Sequence, residues 1–462
     1  MKLLYFTIQI NMVGGLARIV IDKINWLVDK GYDITLCNIE ALDVKPAYPI
    51  DPRVKLIRGD IQTKPGGILT RAKGVMGAVN RTKEVIQQVK PDIIINAHCP
   101  LVTWILPFVC RDIPKLVEIH QSRQGLEVFN RQFMSPLARW GHRHAIKWIY
   151  SRYDQFVVLT NGDKEAWSCK NCIVIPNFVD LRYETQGYET LALRNGAGLL
   201  RNVANGYYEN KNGNGNNNGN DNENENQKVA KRNVAQRFVA QRFVAKRFVA
   251  QCFVSVKRQI LLLARLMPQK RIDLMIEVWA KLAKEFPEWS VKVLGEGMLR
   301  PQLEEKIRTL GLQESFLLPG EVKDVTDELE ASDILCLTSE YEGFGIVLIE
   351  AMAKGIPVIA FEYVGVHDII NDNVDGFIVP FGDVDAYAQK LKQLMTDKDL
   401  YERLATQALT SVHKFDKERV MKKWDVLFKF TNPNLNPNPN LNLNINDNLS
   451  INDNLNPNIN VN

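Results

Sequence analysis

The stretch ILCLTSEYEGFGIVLIEAMAKGIPVIA, from Ile334 to Ala360, decides the fold of this chain. It opens on the apolar run Ile334–Leu337 and passes through a loop carrying Gly343 and Gly345. The segment Phe344–Lys354 has helix-forming composition, and Val358–Ala360 is a second apolar run. Strand, glycine-bearing turn, helix and strand in that order make a βαβ unit. Near-continuous Val/Ile/Leu runs, without alternation, are the pattern of parallel strands buried on both faces.

The same rhythm extends on both sides. From Gln259 to about His413, Ile260–Leu263, Val291–Leu294, Phe316–Leu318 and Phe377–Val379 read as strands. Ile272–Phe286, Leu299–Leu310 and Ala386–Met395 read as helices. Met1–Asp180 repeats the series, with strands expected at Leu3–Ile10, Asp33–Ile39, Val54–Ile57, Ile93–Asn96, Lys115–Ile119 and Phe156–Leu159. Its clearest helix is Leu16–Lys30. The expectation is an α/β protein of two Rossmann-like, doubly wound lobes, 1–180 and 258–415. A terminal helix, 416–430, is expected to cross back to the first lobe.

The remaining segments do not read as core. Residues 202–227 are dominated by Asn, Gly and Glu, too polar to offset the entropy of ordering. A five-residue repeat, Val-Ala-Gln/Lys-Arg-Phe, runs from about Val229 to Phe253. Five residues advance a helix by ~500°, so the apolar cluster moves ~140° per repeat and holds no face. An odd period also flips faces in a strand. The tail 431–462 sets Asn at almost every second position, among Pro, Leu and Ile. The expectation is a low-complexity interlobe insertion within 181–257 and a low-complexity tail.

Composition excludes several classes. With 45% hydrophobic and 24% charged residues over 462, the chain is neither fibrous nor wholly disordered. The net charge of +5 invites a polyanion partner, but nine basic and no acidic residues fall between Lys228 and Arg258. Removing those nine turns +5 into −4, so no nucleic-acid partner is expected. No apolar run approaches the ~20 residues of a spanning helix, and the start lacks a signal-peptide pattern. Seven dispersed cysteines read as reduced thiols of a cytoplasmic protein. Cys169-x-x-Cys172 has no second pair to complete a zinc site.

Certain residues carry chemistry. Asn11-Met12-Val13-Gly14-Gly15-Leu16 follows the first strand and opens the first helix, where glycines let a ligand approach a helix N-terminus. It is not G-x-G-x-x-G, and no acidic partner marks a dinucleotide site. In the second lobe Glu342 sits in the loop and Glu350 eight residues on. In one helix that spacing is ~800°, about 80° from a common face, so both carboxylates would border one cleft. Two acceptors spaced along a ligand suit a polyhydroxy compound. Arg265 and Lys270 follow the lobe's first strand, where an open α/β sheet presents ligand contacts. The pair suits a diphosphate leaving group.

Glu342 and Glu350, embedded in E-G-F-G-I-V-L-I-E-A-M-A-K-G-I-P-V-I-A, resemble the signature of the retaining GT-B glycosyltransferases of family 4, the "group 1" transferases. The likeness also takes in Arg265–Lys270 (R-L-M-P-Q-K), Leu294–Gly297 (L-G-E-G), Phe316–Gly320, Ile175–Asp180 (I-P-N-F-V-D) and Gly14-Gly15. It implies two lobes facing across a cleft and a nucleoside-diphosphate sugar as donor. Glu350 would bind the ribose hydroxyls. Glu342, with Gly343, Phe344, Gly345 and Val347, would line the donor sugar. Arg265 and Lys270 would bind the diphosphate, Gly295 and Gly297 would border the donor, and Gly14 and Gly15 would let the first lobe close onto the phosphates. His120 resembles the family's histidine near the donor sugar and acceptor, and His98 is a weaker acceptor-side candidate. The catalytic set is thus Glu342, His120, Arg265 and Lys270.

The sequence departs from that pattern at Ala264 and Arg271, where the family usually has Gly, and at Asp368, where it often has Glu. Arg271 would either add charge or strain a left-handed turn. The resemblance implies front-face sugar transfer with retention, without cofactor or catalytic metal. Asp383-Val384-Asp385 begins a helix and reads as a cap rather than a metal motif. The acceptor would be a carbohydrate or a lipid-linked one. Basic and aromatic residues in 131–152 (Arg131, Arg139, Arg143, Lys147, Arg152, Trp140, Trp148, Ile149, Tyr150) suit contact with the inner face of an anionic membrane. Lys64, Arg71, Lys73, Arg81, Lys83 and Lys90 add to that surface. The rival readings are a phosphorylase or nucleotide-sugar epimerase of the same fold, or a scaffold disabled by the hinge insertion.

Overall fold

Most apolar runs become strands because they are hidden from water on both faces, while the edge strands at Lys55–Arg58 and Phe316–Gly320 are partly exposed. Leu3, Leu4, Tyr5, Phe6, Ile93, Ile94 and Ile95 are all fully buried, which leaves no solvated face to alternate with. The computed structural model describes residues 1–8, 10–11, 14–39, 45–61, 68–97, 99–181, 258–322 and 324–436. The insertion repeat, most of the tail, Met12, Val13, Lys64 and His98 lie outside the described residues, as does the side chain of Arg71.

The chain divides into two units, the first holding Met1–Phe178, Tyr341–Phe344 and the chain from Glu418, the second Val179–Glu340 and Gly345–Lys417. The first sheet is built from β1 (Lys2–Thr7), β2 (Asp33–Asn38), β3 (Lys55–Arg58), β4 (Ile93–Ala97), β5 (Lys115–Glu118), β6 (Gln155–Val158) and β7 (Cys172–Val174). All pairings are parallel and the order is β3-β2-β1-β4-β5-β6-β7. Its helices are α1 (Gly15–Asp29), α2 (Ile68–Val89), α3 (Pro100–Ile105), α4 (Arg123–Phe133), α5 (Pro136–Tyr150) and α6 (Asn161–Trp167).

The second sheet repeats the plan with β8 (Arg258–Leu263), β9 (Trp289–Leu294), β10 (Phe316–Gly320), β11 (Ile334–Leu337), β12 (Val358–Phe361) and β13 (Phe377–Val379), in the order β10-β9-β8-β11-β12-β13. Its helices are α7 (Ile272–Leu282), α8 (Arg300–Thr309), α9 (Thr326–Ala331), α10 (Ile346–Ala353), α11 (Val384–Thr396) and α12 (Lys398–Ser411). In each sheet the winding reverses beside the first strand, between β1 and β4 and between β8 and β11. Open α/β sheets bind ligands outside the strand C-termini at that reversal.

The differences from the sequence reading have local causes. β7 is three residues long and follows a polar turn, so it carries no periodic signal. α7 stops at Leu282 instead of Phe286, because Pro287 disfavours helix at the residue before it. α9 and α12 are rich in Asp, Glu and Thr and lack an apolar run. Asp383 does cap α11, accepting from the Ala386 amide at 2.9 Å.

The terminal helix α13 (Lys417–Thr431) packs on α1 through side chains that group with the first unit. Trp26 Nε1 donates to Glu418 at 2.8 Å, and the Tyr32 hydroxyl to Asp425 at 2.6 Å. The Trp424 ring covers the Lys23 ammonium at 3.9 Å. Cys169 and Cys172 are free thiols. Burial raises both pKa values, that of Cys172 to about 12, which opposes the thiolate a metal needs.

Candidate active site

In the second unit the two loops at the winding reversal are tied together. Arg265 stands two residues beyond β8, exposed, with no ion pair among the described residues. The chain then makes a single 3₁₀ turn, Pro268–Lys270. The loop after β11 is pinned to it, the Thr338 hydroxyl donating to the Lys270 carbonyl at 2.8 Å and the Glu340 amide to the Gln269 carbonyl at 2.9 Å. Arg265 and Lys270 are thereby held by backbone contacts beside the strand end that leads to α10.

Gly295 and Gly297 answer a packing demand within the chain. A Cβ on Gly295 would stand 2.2 Å from the Ala264 carbonyl oxygen, and one on Gly297 2.3 Å from that of Leu266. Only glycines let the Leu294–Gly297 turn lie against the strand end that bears Arg265. The Leu266 amide donates to the Glu296 carbonyl at 2.9 Å in the same contact. Their place in the site is therefore as supports of the Arg265 turn.

Gly345 caps α10 with φ +89°, and a Cβ there would also meet the Tyr363 hydroxyl at 2.5 Å. Phe344 is buried and Val347 half-buried on the first turn. Glu350 is buried in α10. Because α10 begins at Ile346, Glu342 lies in the loop before it, and helical spacing does not relate the two carboxylates. The 80° offset expected of one helix running through both therefore does not hold. Glu342, Gly343 and Phe344 group with the first unit, and Glu350 with the second.

Arg271 takes up the left-handed backbone expected of a glycine, at φ 47°. Its guanidinium donates to both oxygens of Asp273, at 3.0 and 2.9 Å. Its charge is thus committed to the first turn of α7, not added to a ligand site. Asp368 ends a 3₁₀ turn, Val366–Asp368.

In the first unit, Gly14 precedes α1 and Gly15 begins it. A Cβ at Gly14 would meet nothing within 4 Å among the described residues, so their packing does not require glycine there. His120 follows β5, and its Nε2 is 2.9 Å from Glu118 Oε1, at an angle short of a formal hydrogen bond. The other oxygen of Glu118 accepts from Lys23 Nζ of α1. Lys23 is fully buried and Glu118 nearly so. Burial by itself would raise the Glu118 pKa, but Lys23 and then His120 outweigh it and hold the carboxyl at about 2. Burial lowers the Lys23 pKa, with Glu118 opposing the shift.

The sequence reading named His120 but neither Glu118 nor Lys23. The available signals were a carboxylate two residues before the strand-end histidine and a lysine in the apolar stripe of α1. On the expected membrane surface, Trp140 and Trp148 are exposed, but Ile149 and Tyr150 are buried core. Arg81 is occupied by the Gly59 and Arg58 carbonyls and Glu84. Exposed Trp104 and Phe108, which the sequence did not single out, join that face.

Comparison with known proteins follows the two units. Residues 13–183 match the family described as Glycosyltransferase Family 4, and residues 250–410 the family Glycosyl transferases group 1. An uncharacterized glycosyltransferase of Haemophilus influenzae is 22% identical over 425 residues, covering 92% of this chain and 98% of its relative. The amylovoran biosynthesis glycosyltransferase of Erwinia amylovora is 22% identical with the same coverage. The Anabaena protein HepE, solved with UDP and glucose, superposes with a TM-score of 0.61 at 16% identity, covering 92% of this chain and 99% of that one.

Two outcomes test the site's construction. The pKa of Glu118 is lower in the folded state than its ordinary 4.5, so its stabilising contribution is complete above pH 4.5 and fades as pH falls towards 2. Urea unfolding across that window should show an acid loss in the native protein that Glu118→Gln abolishes. The variant should itself be less stable by roughly 3–5 kcal/mol, with Lys23→Met partly restoring it. Gly297→Ala should cost about 1–3 kcal/mol or more, whereas Gly14→Ala should leave thermal stability within about 0.5 kcal/mol.

Proposed function

This chain belongs to the GT-B glycosyltransferases, and on that premise we propose that it transfers a sugar from a nucleoside-diphosphate sugar to a hydroxyl acceptor with retention of configuration. The observation that carries the reading is the pinned Arg265–Lys270 turn at the winding reversal, with Glu350 on the helix leaving the same place. A guanidinium and an ammonium fixed by backbone contacts suit a diphosphate, whose charge grows as the bond to the sugar breaks. Glu350 would accept from the ribose hydroxyls. Glu342, with the amides at Gly343, Phe344 and Gly345, would hold the donor sugar. The room at Gly14 suits close approach of phosphate to the start of α1.

In the proposed step, the acceptor oxygen bonds to the anomeric carbon on the face from which the diphosphate oxygen leaves. The acceptor proton passes to that departing oxygen. His120, set by Glu118, would border the reacting sugar. Arg265 and Lys270 supply the countercharge, so no divalent metal is needed. The amylovoran relative supports a place in bacterial surface polysaccharide or glycopolymer synthesis, and the Anabaena complex supports a UDP-sugar donor class.

Among the described residues no helix is long and apolar enough to cross a membrane. The exposed Trp104, Phe108, Trp140 and Trp148, beside Lys83, Arg143, Lys147 and Arg152, suit peripheral attachment to the inner face of an anionic membrane. Sedimentation with phosphatidylglycerol vesicles should carry the protein down at low salt and release it at high salt. No sedimentation at low salt removes the membrane reading.

Sugar transfer should fall about 10²- to 10³-fold in Arg265→Ala and Lys270→Ala, mainly in kcat. Glu350→Ala should act chiefly on the donor KM. Proton NMR of the product should show the anomeric configuration of the donor, and activity should survive EDTA. Undiminished transfer by the Lys270 and Glu350 variants would refute the assignment. Turnover without an acceptor, or dependent on inorganic phosphate, would favour the epimerase or phosphorylase alternatives.

A further inference from the structure

His120 is tied to the interior of the first unit. Glu118 ends β5 and His120 follows two residues later, so in extended chain both side chains leave on the same side. Between them the Ile119 amide donates to the Val157 carbonyl at 3.1 Å, continuing the β5–β6 pairing one residue beyond the strand. On α1, Lys23 falls on the buried face between Val20 and Leu27, and its stem reaches the end of β5. Its ammonium donates to one oxygen of Glu118, and the other oxygen stands 2.9 Å from His120 Nε2. One carboxylate thus faces a cation on one side and an imidazole on the other.

The ammonium also meets two aromatic faces. The Trp424 ring of α13 lies 3.9 Å from it, and the Tyr5 ring of β1 5.5 Å. A cation is drawn to such faces most strongly where water is excluded. Lys23 and Glu118 are both buried, so neither can turn towards water. The terminal helix is itself fastened to the first unit, through Glu418 to Trp26 and Asp425 to Tyr32. The carboxylate therefore has one orientation to offer His120.

That orientation decides where the ring carries its proton. At 2.9 Å an unprotonated Nε2 would set its lone pair against a lone pair of the carboxylate. A protonated Nε2 becomes a donor to it after a small turn of the ring. Nε2 is a buried atom with no hydrogen-bond partner among the described residues, which is costly until that turn is made. A neutral imidazole with its proton on Nε2 keeps Nδ1 as its acceptor.

We propose that Lys23, Glu118 and Trp424 are positioning residues that hold His120 with its proton on Nε2, so that Nδ1 accepts from a hydroxyl of the bound sugar. The proposal rests on the transferase reading, in which His120 borders the reacting sugar. It adds which ring nitrogen meets the substrate and what fixes it.

Full-length protein, isotope-labelled at the histidine nitrogens, is followed by NMR at about pH 9, where an ordinary imidazole is neutral. His120→Gln identifies the His120 signals. In the native protein they should show the proton on Nε2. Lys23→Met with Glu118→Met replaces the pair by apolar residues of similar volume, an exchange that buried ion pairs often tolerate. There the preference for Nε2 should be lost, and kcat should fall about 10- to 100-fold with donor KM within about twofold. Lys23→Met with Glu118→Gln restores a neutral acceptor for Nε2 and should recover most of that loss. Trp424→Leu uncovers the ammonium while leaving the pair in place, and should lower kcat by about threefold or more. Thermal melting checks that each variant folds, and Trp424→Leu decides the matter where a double variant does not.

A native His120 with its proton on Nδ1 would overturn the proposal. So would native kcat in the folded apolar double variant, or a Gln variant no better than the Met one. A raised donor KM with unchanged kcat would mean a role in donor binding only, again overturning it. If His120→Gln transfers sugar at the native rate, the proposal fails and the transferase reading stands. If the native protein consumes no nucleoside-diphosphate sugar, the transferase reading fails, and the NMR comparison alone decides what fixes the ring.

Discussion

Parallel strands covered on both faces have no surface on which to display chemistry. That constraint governs both units of this chain. With β4 and β11 buried along their lengths and β1 and β8 buried apart from their ends, reactive side chains emerge where strands end and the winding changes direction. Arg265, Lys270 and the loop leading to Glu350 all come from β8 and β11, the two strands at the reversal. His120 emerges beyond β5, one strand removed from the reversal in the first sheet. The positions of candidate site residues thus follow from the order in which the strands are wound.

The glycines in these loops divide by what they accommodate. Gly295 and Gly297 admit other backbone of the same chain, and Gly345 admits the Tyr363 hydroxyl as well as a left-handed turn. Among the described residues nothing stands where a Cβ on Gly14 would be. A glycine that packing explains says little about a ligand. One that packing leaves unexplained points outward. By this criterion packing does not require glycine at Gly14, and neither does it at Gly77 or Gly141. The Leu294–Gly297 turn, whose pattern is the more distinctive, acts instead by shaping the Arg265 turn.

The βαβ rhythm was legible because burial on both faces removes polar residues from a strand, and that shows in composition alone. The short β7 and the polar helices α9 and α12 escaped because their stability comes from neighbours, which no local window reports. The phosphate-side cations were legible from their place after a strand. Helical spacing could not relate Glu342 to Glu350, because α10 starts at Ile346, after the left-handed Gly345 and two residues beyond the Phe344 expected from sequence. Arg271 shows the limit from the other side. Its sequence position implied either charge or strain, and the structure shows strain accepted while the charge is held by Asp273. Arg131, Arg139 and Arg143 were visible within a basic run, but the sequence could not separate Arg143, paired with Glu127, from Arg131 and Arg139, which have no ion pair among the described residues.

Lys23 and Glu118 then raise a question of economy. Two charges withdrawn from water rarely stabilise a fold more than apolar residues of the same size would. Lys23 lies within the apolar stripe of α1, between Val20 and Leu27, where a leucine or methionine would pack at lower cost. The pair is therefore poorly explained by stability. What it does provide is a carboxylate that remains charged to about pH 2, with one oxygen held by Lys23 and the other facing His120. Trp424 of α13 seals the ammonium from solvent, so the terminal helix takes part in the same arrangement. A fixed anion 2.9 Å from a strand-end imidazole nitrogen limits how the ring can turn. The cost of burying Lys23 is best understood as the cost of holding His120 in one orientation.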